Sequence, residues 1–174
     1  LAHHGYKLAV QAEKAGVMLA AEASVAGGIP VLKTLRESLS GNQITRITGI
    51  LNGTCNYILS TMQHQARDFD DVLAEAQALG YAEADPGFDI DGVDAGHKLA
   101  LLGAIGFGTA PSIDAVDMTG VRAITMTDME NASNLGCTIR LLAEAEQKDD
   151  GEVLMRVRPV VLPLDNHLAK FDGQ

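Results

Sequence analysis

The spacing of apolar and polar positions divides the chain into helical and strand-like blocks. Residues 5–15 (GYKLAVQAEKA) set Leu8, Ala12 and Ala15 on one side, which predicts a helix ended by Gly16. Residues 17–21 are a short apolar run between Gly16 and Glu22, the pattern of a buried strand. Next comes EASVAGGIPVL, where Gly27-Gly28 permit tight backbone geometry and Pro30 suits the first turn of a helix over 31–40. Residues 44–51 (ITRITGIL) alternate apolar and polar, which marks a half-buried strand. Helical patterns follow at 55–65 and 69–79 (FDDVLAEAQAL), the second capped by Gly80. Beyond residue 107 the pattern predicts a strand at 118–124, a short helix at 128–135, and strands at 138–146 and 152–161 around the turn Lys148-Asp149-Asp150-Gly151. These elements predict an α+β fold, with a mixed, largely antiparallel sheet and helices packed on one face.

The chain is organised around residues 80–106. Five carboxylates (Glu83, Asp85, Asp89, Asp91, Asp94) and then Lys98 fall within sixteen residues. Pro86-Gly87 breaks the backbone, so the first half is loop. From Gly92 onward Val93, Leu99, Leu102 and Ile105 recur at helical spacing. Asp91 stands where an N-cap belongs, with Asp94 three residues on, and Asp94 and Lys98 share one helical face. An N-cap, an early acid and an i,i+4 pair are also ordinary ways to start a helix. The density of acids around one lysine marks a candidate site. The Asn52-Gly53-Thr54 turn presents free backbone N–H groups where a carboxylate could bind, and equally suits a plain helix cap.

Composition narrows the function. A chain of 174 residues, 47% hydrophobic, suits one domain (1–174) with a sizeable core. The net charge of -10 argues against nucleic acid and anionic membranes, and a 4% aromatic content without Trp gives no platform for stacking bases. No apolar run approaches the length of a membrane span. Cys55 and Cys137 lie far apart without metal spacing, consistent with a reducing, cytoplasmic setting. Gly103, Gly106 and Gly108 read G-x-x-G-x-G inside and after a helix, the reverse of a dinucleotide fingerprint, and no Walker loop occurs. A first residue other than Met and a last stretch of LAKFDGQ read as a piece of a longer polypeptide.

Two blocks, EASVAGGIPVLKTLRE…ITGILNGTCNYIL and LGYAEADPGFDIDGVDAGHKLALL, resemble homoserine dehydrogenase. The resemblance covers most of the chain and weakens after about Gly120. It implies the substrate-binding, catalytic and dimerisation domain of that family, without the nucleotide-binding domain. The implied reaction interconverts L-homoserine and L-aspartate semialdehyde with NAD or NADP, in threonine and methionine biosynthesis. On this resemblance Lys98 is the acid/base group, with Asp94 beside it. Glu83 and Asp89 bind the substrate, and Tyr81, Gly53 and Thr54 fall at substrate-side positions. Glu22, Val25, Gly27 and Ile29 match a loop for a monovalent cation. The implied assembly is a homodimer formed through the sheet. An alternative is an amino-acid-binding or dimerisation module with no activity by itself.

Overall fold

The computed structural model describes residues 1–172. Helix α1 (Gly5–Ala15) ends where Gly16 turns left-handed, φ 65°. Helix α2 (Val31–Lys33) runs directly into a wider turn at Thr34–Ser38. Strand β1 (Arg46–Gly49) leads to helix α3 (Gly53–Gln65), then α4 (Phe69–Ala78), the single turn α5 (Gly87–Ile90) and the long helix α6 (Val93–Phe107). Strand β2 (Val116–Met118), helix α7 (Met126–Asn134) and the hairpin β3 (Cys137–Gln147) and β4 (Val153–Pro163) complete it, with a final helical turn at His167–Lys170.

The sheet runs β1-β3-β4-β2. Its β1–β3 and β3–β4 pairs are antiparallel, and β2 joins β4 in parallel. The expected fold class is therefore observed. One face carries Ile139, Leu141, Ala143 and Ala145 from β3 and Met155 and Val157 from β4, all buried. These pack against Ile58, Leu59 and Met62 of α3, Leu99 of α6 and Met129 of α7 in one continuous core.

The opposite face is charged at one end and carries a small apolar cluster, Leu142 and Leu162 with Ala169, elsewhere. Arg46 pairs with Glu146 at 3.0 Å across the β1–β3 ladder. Glu144, Arg156 and Arg158 line the same shallow cleft. At the other end of this face lies Arg140, 1% exposed. Its guanidinium donates to Thr138 Oγ1 (2.6 Å), Ala169 O (3.1 Å) and Asp172 Oδ1 (2.7 Å), so the segment after β4 is fastened across the sheet. A cation this deeply buried persists only where hydrogen bonds and a counter-charge surround it.

Four local expectations change. Residues 17–21 form no strand. An apolar run becomes a strand only with a ladder partner, and none of the described strands pairs with it, so Val17 and Met18 stay 61% and 90% exposed. The predicted strand at 118–124 is β2, two residues earlier and only three residues long. The predicted helix at 31–40 is α2 followed by the wider turn to Ser38. Asp91 is not the N-cap of α6. Gly92 takes that place with φ 82°, a left-handed conformation that frees Asp91 to pair with Arg122.

Among the described glycines, Gly120 has the least room for a side chain. A Cβ there would meet Ile90 O at 2.1 Å and Asp91 Cα at 2.4 Å, both backbone atoms. Val121 N donates to the same Ile90 O at 2.8 Å. The loop after β2 is thus pressed onto the α5–α6 junction with no room for a side chain. At Gly96 the nearest atom is instead Met118 Sδ, which can move aside. Gly120→Ala is expected to destabilise the chain by about 1–3 kcal/mol through overpacking, roughly 2–10 °C in thermal midpoint for a domain of this size. Gly96→Ala should cost less. Thermal unfolding of both variants checks this, and a Gly120→Ala midpoint within a degree of wild type would refute the close approach.

Candidate active site

Three segments meet at Asn52, which is 4% exposed and lies between β1 and α3. Its Oδ1 accepts from Cys55 N at 2.8 Å and so caps α3. Its Nδ2 donates to Asp89 Oδ1 at 2.7 Å and to Asp94 Oδ2 at 2.9 Å. One amide therefore caps a helix and ties α5 and α6 to it. Lys98 stands one turn after Asp94 on α6. Its Nζ donates to the same Asp94 Oδ2 at 2.6 Å and to Leu51 O at 2.9 Å. The lysine and aspartate side chains are 28% and 19% exposed. An ammonium has three N–H donors. Two are used here, which leaves one for a bound molecule.

Lys98 and Asp94 line a depression of about 330 Å³ together with Ser24, Phe88, His97 and Leu101. His97 sits edge-on to His3, ring centres 5.0 Å apart, and edge-on to Phe88 at 5.2 Å. Burial lowers the His97 pKa from its ordinary value, the nearby His3 adds to this, and Asp94 opposes it. A larger depression of about 460 Å³ between α1 and α6 is mostly apolar and includes neither Lys98 nor Asp94. Beneath the site, Cys55 is fully buried and its Sγ donates to Asp89 O at 3.3 Å. Burial, then the carboxylates of Asp89, Asp94 and Asp91, pushes its pKa far above the usual thiol range, so it stays protonated and unreactive.

The structure brings Lys98, Asp94 and Asp89 together and leaves other candidates apart. Glu83 is exposed, and its carboxylate has no hydrogen bond or ion pair among the described residues. Tyr81 is 41% exposed, its ring edge-on to Tyr57 with centres 5.0 Å apart. Tyr57 in turn donates to Glu75 Oε1 at 2.7 Å, and Arg67 pairs with the same carboxylate. The Thr54 hydroxyl is committed to Tyr81 O at 2.9 Å. Gly53 lines a separate depression with Ile29, Asn56 and Asp172.

In the glycine-rich loop, the two carboxylate oxygens of Glu22 accept from Leu32 N and Lys33 N, each at 2.9 Å. Val25 is buried and Ile29 is 66% exposed. Gly27 has φ 51° and follows Ala26 at 61°, so two successive left-handed residues turn the chain. Ile29 O accepts from Val31 N at 2.8 Å. Among the described residues no three His, Cys, Asp or Glu side chains converge as a metal-ligand group.

The residue that sequence reasoning undervalued is Asn52. Its two readings, helix cap and site residue, are one: the oxygen caps and the nitrogen binds the carboxylates. A polar residue between a strand and a helix start is the only local sign of this.

Comparison with known proteins agrees with the resemblance. The homoserine dehydrogenase family profile matches residues 30–174. The homoserine dehydrogenase of Pseudomonas aeruginosa is 47% identical over 173 residues, covering 99% of this chain and 40% of its own length. That of Mycobacterium tuberculosis is 46% identical over 171 residues, 96% of this chain and 39% of its own. Among solved structures, a homoserine dehydrogenase from Thiobacillus denitrificans superposes with a TM-score of 0.95 at 45% identity, covering 99% of this chain and 40% of that one. A hyperthermophilic archaeal homoserine dehydrogenase in complex with NADPH matches with a TM-score of 0.79 at 30% identity, covering 99% of this chain and 48% of that one. This chain thus spans about two fifths of the length of the curated relatives it matches. By profile, identity and fold together, the chain belongs to the homoserine dehydrogenase family.

Proposed function

We propose that this chain is the substrate-binding and catalytic portion of an enzyme interconverting L-homoserine and L-aspartate semialdehyde, in the route to threonine and methionine. One observation carries the reading: Lys98 and Asn52 converge on a single oxygen of Asp94 at the wall of an open depression. Asp94 fixes the lysine in place, and the unused N–H of Lys98 is available to a substrate hydroxyl bound in the depression it lines. Oxidising that alcohol requires its proton to leave, and the reverse reaction must return it to the alkoxide oxygen. Lys98 holds and delivers that proton. Carboxylates at Glu83 and Asp89 suit the substrate ammonium through charge-assisted hydrogen bonds.

The oxidant, NAD or NADP, is placed mainly on residues outside this chain. Gly103 and Gly106 are packing glycines: a Cβ would meet Met155 Sδ at 3.0 Å and Ile47 Cδ1 at 2.8 Å. They offer no backbone cradle for a pyrophosphate. We place the nucleotide-binding residues in the remainder of a longer polypeptide, which the lengths of the relatives support. The archaeal neighbour is described in complex with NADPH. The second reading for this chain alone is an amino-acid-binding module that needs another domain for chemistry. A monovalent cation on the carbonyls of Val25, Gly27 and Ile29 near Glu22, a homodimer through the charged sheet face, and a cytoplasmic setting complete the proposal. Among the described residues no helix is long and apolar enough to cross a membrane.

In the full-length enzyme, Lys98→Ala should lower turnover by roughly a hundred- to ten-thousandfold. Lys98→Arg should not restore it, because a guanidinium does not release its proton at usable pH. A folded Lys98→Ala enzyme that keeps more than a tenth of its turnover would overturn the assignment. Glu83→Gln is expected to raise KM for homoserine about ten- to hundredfold with turnover little changed, the pattern of lost uniform binding. Steady-state kinetics distinguish this from a chemical role, which would collapse turnover at constant KM. For this chain alone, calorimetric titration with NADPH to millimolar concentration should show no saturable heat, and micromolar binding would contradict the placement of the cofactor site.

A further inference from the structure

The Glu83 carboxylate has no partner among the described residues, so its position depends on the backbone that carries it. That backbone is held from α4. The helix is seated by the buried Val72 and Ala76. After it, Gly80 turns left-handed at φ 78°, and Tyr81 N and Ala82 N both donate to Ala76 O, at 2.8 and 3.2 Å. Thr54 Oγ1 then fixes Tyr81 O at 2.9 Å, and Ala82 is buried. The next fixed point is Gly87 N, which donates to Asp85 Oδ1 at 3.2 Å. Between these points two successive carbonyls, Glu83 O and Ala84 O, accept from one group, Gln77 Nε2, at 3.0 and 3.3 Å. Among the described residues nothing else binds the backbone of Glu83 or Ala84.

A primary amide has two N–H donors on one nitrogen. At position 77 they span two adjacent carbonyls and hold both peptide planes with a single side chain. Alanine would release both, and glutamate would set an acceptor against two acceptors at unchanged size. Lysine keeps donors within reach of the same carbonyls.

We propose that Gln77 is a positioning residue for Glu83: it clamps the loop so that the Glu83 carboxylate is presented to the substrate ammonium. This rests on the assignment of Glu83 to substrate binding. The function of Gln77 is exerted through Glu83 and not through contact with substrate.

The test is a kinetic cycle in the full-length enzyme with Gln77→Ala, Gln77→Glu, Gln77→Lys, Glu83→Gln and the Gln77→Ala/Glu83→Gln double variant. Gln77→Ala and Gln77→Glu should raise KM for homoserine by roughly fivefold or more with turnover within about twofold, and Gln77→Lys should recover most of the loss. On the Glu83→Gln background, Gln77→Ala should add nothing further. An unchanged KM in both Gln77→Ala and Gln77→Glu overturns the proposal, as does a KM rise that persists in full when Glu83 is already Gln. If Glu83→Gln alone leaves KM unchanged, the Glu83 assignment itself has failed. If Glu83→Gln raises KM and the Gln77 variants do not, the clamp alone is refuted. Thermal midpoints of the single variants separate a local loop effect from loss of the fold, since a merely structural glutamine would lower the midpoint without splitting KM from turnover.

Discussion

Asp94 accepts two hydrogen bonds at one carboxylate oxygen, from a buried amide and from a lysine ammonium. Hydrogen bonds to charged groups contribute about 1.5–3 kcal/mol each, and stranding a buried polar group costs a comparable amount. The constraint is therefore mutual. Asn52 keeps its place because its oxygen caps α3, Asp94 keeps its place because the amide and the ammonium meet on it, and Lys98 is pulled toward Leu51 O as well. Loss of any member leaves at least one other without its partner. Rigid helices supply the supports, which is what the proton transfer proposed for Lys98 would require.

Around this junction the neighbouring reactive groups are committed elsewhere. Cys55, a nucleophile by composition, is kept protonated first by burial and then by the neighbouring carboxylates. Asp91, one residue from the α6 cap, is turned outward to Arg122, whose hydrogen bond holds its carboxyl below the usual range. The acidic stretch thus separates into members that face the junction, Asp89 and Asp94, and a member that fastens the loop after β2. Spacing alone treats them alike.

Legibility in the sequence followed the range of the interactions. The hairpin β3–β4 was readable because alternation and the Lys148–Gly151 turn are local signals, α3 and α4 were readable from periodicity and capping, and α6 from periodicity alone. The Asp94–Lys98 pair, one helical turn apart, was visible for the same reason. The bonds from Asn52 to Asp89 and Asp94 cross 37 and 42 residues and leave no trace in either local pattern. Residues 17–21 failed in the opposite sense: their local signal was present and the ladder partner was not. Gly120 was illegible because its need for a bare Cα comes from Ile90 and Asp91 across the fold. Gln77 lay in a helix whose amphipathic pattern explained it adequately, so its second duty to the following loop was hidden.

The chain order of the junction has a consequence for how the site comes into being during synthesis. Leu51 and Asn52 closely follow β1, and among the described strands β1 finds its ladder partner only in β3, with Arg46 opposite Glu146, 100 positions later in the chain. A nascent chain that has just released α6 already contains Asn52, Asp89, Asp94 and Lys98, yet has no sheet on which to anchor the strand leading into Asn52. Loops that close over such a separation form late. The pair of Asp94 and Lys98 needs only the helix that carries it, whereas the sheet that anchors the strand entering Asn52 is complete only once the distant hairpin has joined it.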